Sequence, residues 1–190
     1  MATEILLTSE KFVKSVTNIS DNVAGKFLLP SIREAQEQGL RGIVGDCLLT
    51  ALKGMVANGV FQVDPLPEDA VPYRDLLDRA QYYLAYKAVA ELLNKVSYKV
   101  GNFGVAKSND ENLAVVTQDE IAKQIYYYQS KADGCCRGLQ RWILQNRADF
   151  PELRDCDCAS MQANLTSSAT CGFFLGGARG RKLPGGGGCC

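Results

Sequence analysis

The chain contains no histidine among its 190 residues. Histidine is the commonest general base, the usual partner of a serine or cysteine nucleophile, and a frequent zinc ligand. Without it, the Ser-His and Cys-His catalytic pairs and every metal site that needs an imidazole are excluded. We therefore expect a protein that is not an enzyme and that carries no cofactor.

The sequence also carries no excess charge, since 21 Lys and Arg balance 21 Asp and Glu. A neutral chain has no global field that would draw it to nucleic acid or to an anionic membrane. No apolar run approaches the ~20 residues that a membrane-spanning helix needs. The first ten residues include Glu4 and no basic segment followed by an apolar run, so we expect no signal peptide and synthesis in the cytoplasm.

Residues 117–146 carry the most regular apolar pattern in the chain. Apolar residues recur there at alternating spacings of four and three, which is typical of a helix face that packs against other helices. Thr117 followed by Glu120 is a capping box at the start of this helix, and Phe150-Pro151 follows its end. The seam positions are Ile121, Ile125, Tyr128, Ala132, Cys135, Leu139 and Trp142.

Four more helical patterns precede this one. Thr8 is the expected N-cap of the first, Pro30 kinks the second, and Pro72 opens the long fourth helix. We expect these helices to span about residues 8–16, 21–38, 40–58 and 72–100. Residues 101–116 read as an irregular loop, with a small hairpin as one option. The sequence thus predicts an all-α bundle of four to five helices, in which two long antiparallel helices flank this loop.

The composition changes after residue 153, where cysteine and glycine accumulate and apolar residues become few. Such a stretch cannot bury a core of its own. We therefore predict a helical domain over residues 1–153 and an extended arm over residues 154–190. Exposed aromatic and basic side chains in the loop and the arm are the candidate contacts to partners. They are Phe103 and Lys107 in the loop, and Phe173, Phe174, Arg179, Arg181 and Lys182 in the arm.

The cysteines of the arm leave three states open: zinc ligands, disulfides and free thiols. Their spacing is poor for a structural zinc site, because one pair is closer than a C-x2-4-C knuckle and another is adjacent. We favour free thiols. On the apolar stripes of the bundle, Cys47 and Cys135 are expected to be small core residues. The weak metal candidates are Cys156, Cys158, Cys171, Cys189 and Cys190.

The order of these elements resembles that of a known class of proteins. The segments that carry the resemblance are KFLLPSIREAQ at 26–36, GDCLL at 45–49, PYRDLL at 72–77, GNFGV at 101–105 and FPE at 150–152. Over residues 5–153 the chain resembles the helical adaptor, ring or head-completion proteins at the head-to-tail junction of tailed bacteriophages. It is most similar to those of crAss-like phages of gut Bacteroides.

The resemblance implies a structural virion protein without catalytic residues. Such proteins form a ring, commonly of about twelve copies, below the portal. The ring continues the DNA channel and docks the next tail component. The implied partners are further copies, the portal protein, neighbouring neck and tail rings, and genomic DNA that passes without sequence-specific contact. No membrane is involved, and the implied location is the neck of the virion after synthesis in the host cytoplasm.

A second hypothesis about function, outside the class of virion proteins, also remains open. The chain could be a cytoplasmic helical binding or regulatory module whose cysteine-rich tail holds zinc. The arm departs from the connector pattern in its cysteine content, so its contacts stay undecided at this point. About one tightly bound zinc ion per purified chain would favour the regulatory module.

Overall fold

The computed structural model describes residues 4–20, 23–96, 98–101, 104–107 and 117–154. This part of the chain folds into a bundle of α-helices, as predicted. Among the described residues, none of the helices has both the length and the hydropathy to span a bilayer. The helices and strands are α1 (Glu10–Val16), α2 (Gly25–Glu34), a π-helical turn (Ala35–Leu40), α3 (Arg41–Val44), α4 (Asp46–Ala57), α5 (Val71–Val96), β1 (Tyr98–Gly101), β2 (Gly104–Lys107) and α6 (Gln118–Gln145).

Helix α5 runs through the centre of the bundle. It packs against α6 and also contacts α1, α2 and the π-helical turn. Between Tyr83 and Ala90 only Tyr86 and Lys87 retain partial exposure. Ring contacts join Tyr73 to Phe150, and Arg79 lies over Trp142, so the start of α5 meets the end of α6. The predicted antiparallel pair of long helices is therefore confirmed.

The buried stripe of α6 differs in register from the predicted seam. Its buried residues recur mostly at a spacing of four, because a straight helix drifts by roughly 20° per heptad from a 3.5-residue repeat. Cys135 and Trp142 consequently lie at the half-buried flank, where their neighbours Cys136 and Ile143 are buried. The buried apolar residues of α6 are Tyr128, Ala132, Cys136, Leu139 and Ile143.

The first part of the predicted seam has no helix to pack against. Ile121 and Ile125 are only half-buried and do not belong to the core. With Arg79 beside Trp142, counting along the antiparallel helices brings the end of α5, Val96, opposite Ile125. Helix α5 stops there, about one turn before the predicted end at Val100.

A β-hairpin causes this early end of α5. Strand β1 pairs antiparallel with β2, and Gly101 lies opposite Gly104. The small hairpin that the sequence left as one option for this connection is therefore confirmed. Residues 102–103 and 108–116 lie outside the described residues.

The boundary between the second and third predicted helices was placed too early. The helical path does not stop at Gln38 but continues through the π-helical turn and α3 to Val44. It breaks at Gly45, whose φ of 81° lies in the region that glycine tolerates best,. Gly39 does not break the helix because it serves a packing role: a Cβ there would overlap the Tyr83 hydroxyl.

The predicted start and end of α6 are confirmed, whereas the predicted N-cap of α1 is wrong. Thr117 and Glu120 form the capping box, and α6 ends at Gln145 ahead of Phe150-Pro151. The N-cap of α1 is Ser9, whose hydroxyl accepts from the Phe12 N–H at 3.1 Å. Thr8 is buried instead, because it belongs to the segment that packs on α5.

Substituting Gly39 tests the close approach of the π-helical turn to α5. We expect Gly39→Ala to destabilise the fold by about 1–3 kcal/mol, because the buried Tyr83 ring cannot move aside without overpacking. The matched control is Gly42→Ala, where a Cβ meets nothing within 4 Å; this change should stabilise by up to ~1 kcal/mol through helix propensity. Urea unfolding of both variants measures the difference, and equal effects would contradict the assignment.

A second pair of variants tests the corrected register of α6. Ile143 is fully buried, so Ile143→Ala is expected to cost about 2–5 kcal/mol in unfolding free energy. Ile125→Ala removes the same atoms from a position outside the core and is expected to cost less than about 1 kcal/mol. Thermal or urea unfolding gives both numbers. The opposite ranking would restore the heptad seam.

Candidate functional site

The segment before α1 is fixed by two glutamine side chains. Gln36, fully buried in the π-helical turn, accepts from the Leu7 N–H at 2.8 Å and donates to the Ile5 carbonyl at 3.1 Å. Gln81 of α5 donates to the Leu7 carbonyl at 2.9 Å. These amides satisfy backbone groups that burial would otherwise leave without partners. No sequence pattern indicated this, since a helical glutamine is usually exposed.

A groove of about 300 Å³ opens beside this segment. Leu7 and Thr8 line one side, and Phe61, Arg74 and Leu77 line another. The Arg74 guanidinium lies 5.9 Å from the Phe61 ring centroid and donates to the Phe61 carbonyl at 3.3 Å. The Thr8 hydroxyl is buried without a hydrogen-bond partner in the described chain. The groove is lined by both apolar and polar side chains, with Arg74 as its one cation.

An ion network braces the joint between the π-helical turn and α4. Glu37 pairs with Lys53 and, at 3.2 Å, with Arg41, whose Nε lies 2.9 Å from an Asp46 carboxylate oxygen. Burial alone would raise the pKa of Glu37. Hydrogen bonds from Lys53 and Gln36 and the charges of Lys53 and Arg41 outweigh burial and hold this pKa below its ordinary value. The network thus stabilises the chain around the Gly45 break.

Two buried phenols, Tyr73 and Tyr83, lie outside this network. The Tyr73 hydroxyl donates to both carboxylate oxygens of Glu152 at 2.7 and 2.8 Å. Burial first, and then Glu152, raises the pKa of Tyr73. Burial likewise raises the pKa of Tyr83 and, against the charges of Arg137 and Lys87, that of Asp133. A phenol with a raised pKa stays neutral and donates a hydrogen bond, which is a structural role.

The face of α6 that points away from α5 is basic and aromatic. Eighteen residues, or five helical turns, separate Lys123 from Arg141, so both lie on the same face. Tyr126 is 76 % exposed and Tyr127 is 48 % exposed. Gly134 and Gly138 also lie on this face, and a Cβ at either would meet nothing within 4 Å. The exposed basic residues here are Lys123, Lys131, Arg137, Arg141 and, just past the helix, Arg147. We call this surface the basic face.

A group of exposed carboxylates lies around the start of α5. It includes residues of the loop before the helix and of its first turns. Tyr73, which hydrogen-bonds Glu152 and packs on Phe150, joins this region to the chain that follows α6. We call the group the acidic end; its members are Asp64, Glu68, Asp69 and Asp75.

The contact candidates from the sequence cannot be placed within these surfaces. Phe103 and the arm residues Phe173, Phe174, Arg179, Arg181 and Lys182 lie outside the described residues. Lys107 is placed only as the last residue of β2. The proposed division at residue 153 and the arm of residues 154–190 stay predictions.

The cysteine interpretation is corrected in part. Cys47 and Cys136 are disulfide-bonded, so Cys47 is not the unpaired core thiol that its apolar stripe suggested. Cys135 is free and half-buried, and burial raises the pKa of its thiol. The described residues contain no cluster of three or more Cys, Asp or Glu side chains placed to hold a metal ion. The metal candidates Cys156, Cys158, Cys171, Cys189 and Cys190 lie outside the described residues.

Comparison with known proteins gives one match. A family model described as a family of unknown function, DUF6712, matches residues 40–162. This range contains α3 to α6, and hence both long helices and the hairpin between them. No curated protein matches the chain, and no solved structure matches it.

The role of Gln36 can be tested by exchanging its amide for an apolar group. Gln36→Leu keeps the side-chain size but leaves the Leu7 N–H and the Ile5 carbonyl without partners, at a cost of about 1–3 kcal/mol for each group that stays buried. We expect faster hydrogen exchange at the Leu7 amide and a lower unfolding free energy. Gln38→Leu, at an exposed neighbouring position, is the control. Unchanged protection of Leu7 in the Gln36 variant would contradict the assignment.

Proposed function

The chain belongs to DUF6712, a family of unknown function, and from its own architecture we propose that it is a structural protein of a bacteriophage virion. In this proposal about twelve copies form a closed ring between the portal and the tail. The ring continues the channel for genomic DNA and docks the next tail component. Its partners are its own copies, the portal protein and neighbouring neck rings, and it performs no catalysis.

The observation that carries this proposal is the exposure of large apolar rings on rigid helices. Tyr126 is 76 % exposed, Phe27 on α2 is 52 % exposed and Tyr82 on α5 is 47 % exposed. Aromatic residues are enriched in the buried centres of protein interfaces. Their distribution over three helices supports a subunit that meets partners on more than one side.

The order of elements gives further support. Residues behind the resemblance to phage connectors include Pro72, in the first turn of the central helix, and Gly101 and Gly104, which lie opposite each other in the hairpin. Phe150 is buried against Tyr73 and Trp142 after α6 ends. A ring built by rotation also needs two different faces on each subunit. The basic face and the acidic end differ in this way.

Electron microscopy of the purified full-length chain tests the proposal directly. We expect ring-shaped particles with a central channel and about twelvefold rotational symmetry. Labelling of intact virions with an antibody to the chain should decorate the junction between head and tail. A protein that stays monomeric at all concentrations and is absent from virions would overturn the proposal. So would about one tightly bound zinc ion per chain in such a monomer, which would favour the regulatory module.

Deleting residues 155–190 separates folding from assembly. All buried core residues of the described chain lie between Leu7 and Phe150. We therefore expect the truncated chain to keep the helical circular dichroism and cooperative unfolding of the full chain. If the arm contacts a neighbour, the truncated chain will no longer enter virions when it replaces the full chain. Normal incorporation of the truncated chain would remove the arm from the proposed contacts.

A further inference from the structure

The basic residues of the basic face differ from most others in the bundle. Seven lysines and arginines on the other helices pair with carboxylates. Within the described chain, none of the five basic residues from Lys123 to Arg147 forms such a pair. Lys131 only lies over the Tyr127 ring, at 5.5 Å from its centroid. In the described chain this face therefore keeps more bases than carboxylates, since only Asp119 and Glu120 at its start and Asp133 near Arg137 offset the five bases.

The acidic end carries the opposite surplus. Asp64, Glu68, Asp69 and Asp75 are exposed, and in the described part of the chain none of them forms an ion pair. The nearby Arg74 is already paired with Asp78. The zero net charge of the chain thus conceals two surfaces of opposite sign.

Two glycines on the basic face point to contact with another molecule. Gly134 and Gly138 lie one turn apart in an exposed helix interior, where each costs about 1 kcal/mol relative to alanine. Nothing in the described chain lies close enough to require a missing side chain at either position. Tyr126 and Tyr127 lie on the same face, toward its N-terminal end. A flat strip between exposed rings and cations is suited to close approach by an external surface.

We propose that the basic face of α6 docks on the acidic end of a second copy of this chain. The two surfaces are opposite in sign and similar in number of charges, and they are different patches of one subunit. Such a head-to-tail contact repeats by rotation and closes into a ring when the rotation is a simple fraction of a turn. The inference deepens the proposed ring and rests on it.

A nucleic acid is a poorer occupant of the basic face. A phosphate backbone is a continuous anion that would extend past the end of α6. There it would meet the carboxylates of Asp149 and Glu152 and then the acidic end, because Tyr73 links Glu152 to the start of α5. An acidic surface of limited size, such as the acidic end of another copy, fits the basic face better because carboxylates lie beyond the end of α6.

Charge reversal on each surface of the full-length chain tests the inference. One variant carries Arg137→Glu and Arg141→Glu, a second carries Asp69→Arg and Asp75→Arg, and a third carries all four changes. All four residues are exposed, so each variant is expected to unfold at the wild-type temperature. Sedimentation equilibrium at low and high salt measures self-association. The control reverses Lys11 and Lys26, two exposed bases on other helices.

Each of the first two variants should raise the dissociation constant between copies by more than about tenfold, since two attractive positions on one surface become repulsive. The variant with all four changes, and an equimolar mixture of the first two, should restore part of the association because the reversed positions again meet residues of opposite sign. Association of the wild type should weaken with salt. The control should behave as the wild type does.

The outcomes separate this inference from the proposed ring. Wild-type rings that persist in both single-surface variants would overturn the inference and leave the ring intact. Salt-sensitive association that responds to both reversals but yields only open chains would support the contact and overturn the ring. A wild type that is monomeric at low salt would overturn both. Binding of duplex DNA by such a monomer, lost with Arg137→Glu and Arg141→Glu, would assign the face to a polyanion.

Discussion

The burial of α5 on several sides is the constraint on which the rest of the bundle depends. A helix enclosed by α2, α6 and the π-helical turn must present small residues wherever a neighbour comes close. Ala85, Ala88 and Ala90 meet this need from within the helix, and Gly39 meets it from the turn, where it faces the hydroxyl of Tyr83. The resulting close packing gives α5 and α6 a fixed relative position. The basic face lies on α6, and the acidic end includes the first turns of α5.

Much of this fold could be predicted from the sequence, because its strongest signals are local. The Thr117–Glu120 box and the proline at the start of α5 act through neighbouring backbone groups. Their outcomes do not depend on distant parts of the chain. The predictions were wrong where contacts between distant parts of the chain determine the helix boundaries and the buried face. The helical path passes the boundary predicted at Gln38, because Gly39 allows a close contact with Tyr83, and Gly45 is the actual break. The buried stripe of α6 differs from the predicted seam, whose first positions lie at or beyond the level where α5 ends at Val96.

The candidate surfaces were much harder to predict. The net charge of the chain is zero. Only the ion pairs of the folded bundle show which charged side chains have no partner of opposite sign. Lys53 and Lys131 are equivalent residues in the sequence. In the described chain Lys53 forms an ion pair with Glu37, whereas Lys131 lies only over the Tyr127 ring. The loop and arm residues that were predicted as contacts stand out by their aromatic and basic side chains. Residue type alone does not determine where such side chains lie in the fold. Their role stays a prediction.

The attachment of the N-terminal segment by Gln36 and Gln81 has a consequence for sequence variation. Gln36 binds the Leu7 N–H and the Ile5 carbonyl, and Gln81 binds the Leu7 carbonyl, so both amides contact main-chain groups and not side chains. Every residue type except proline supplies the same main-chain donor and acceptor. Relatives can therefore change Ile5 without losing these hydrogen bonds, provided that both glutamines persist. Leu6 and Leu7 also pack on the core, so variation without loss of the attachment is expected at Ile5 and not along the whole segment.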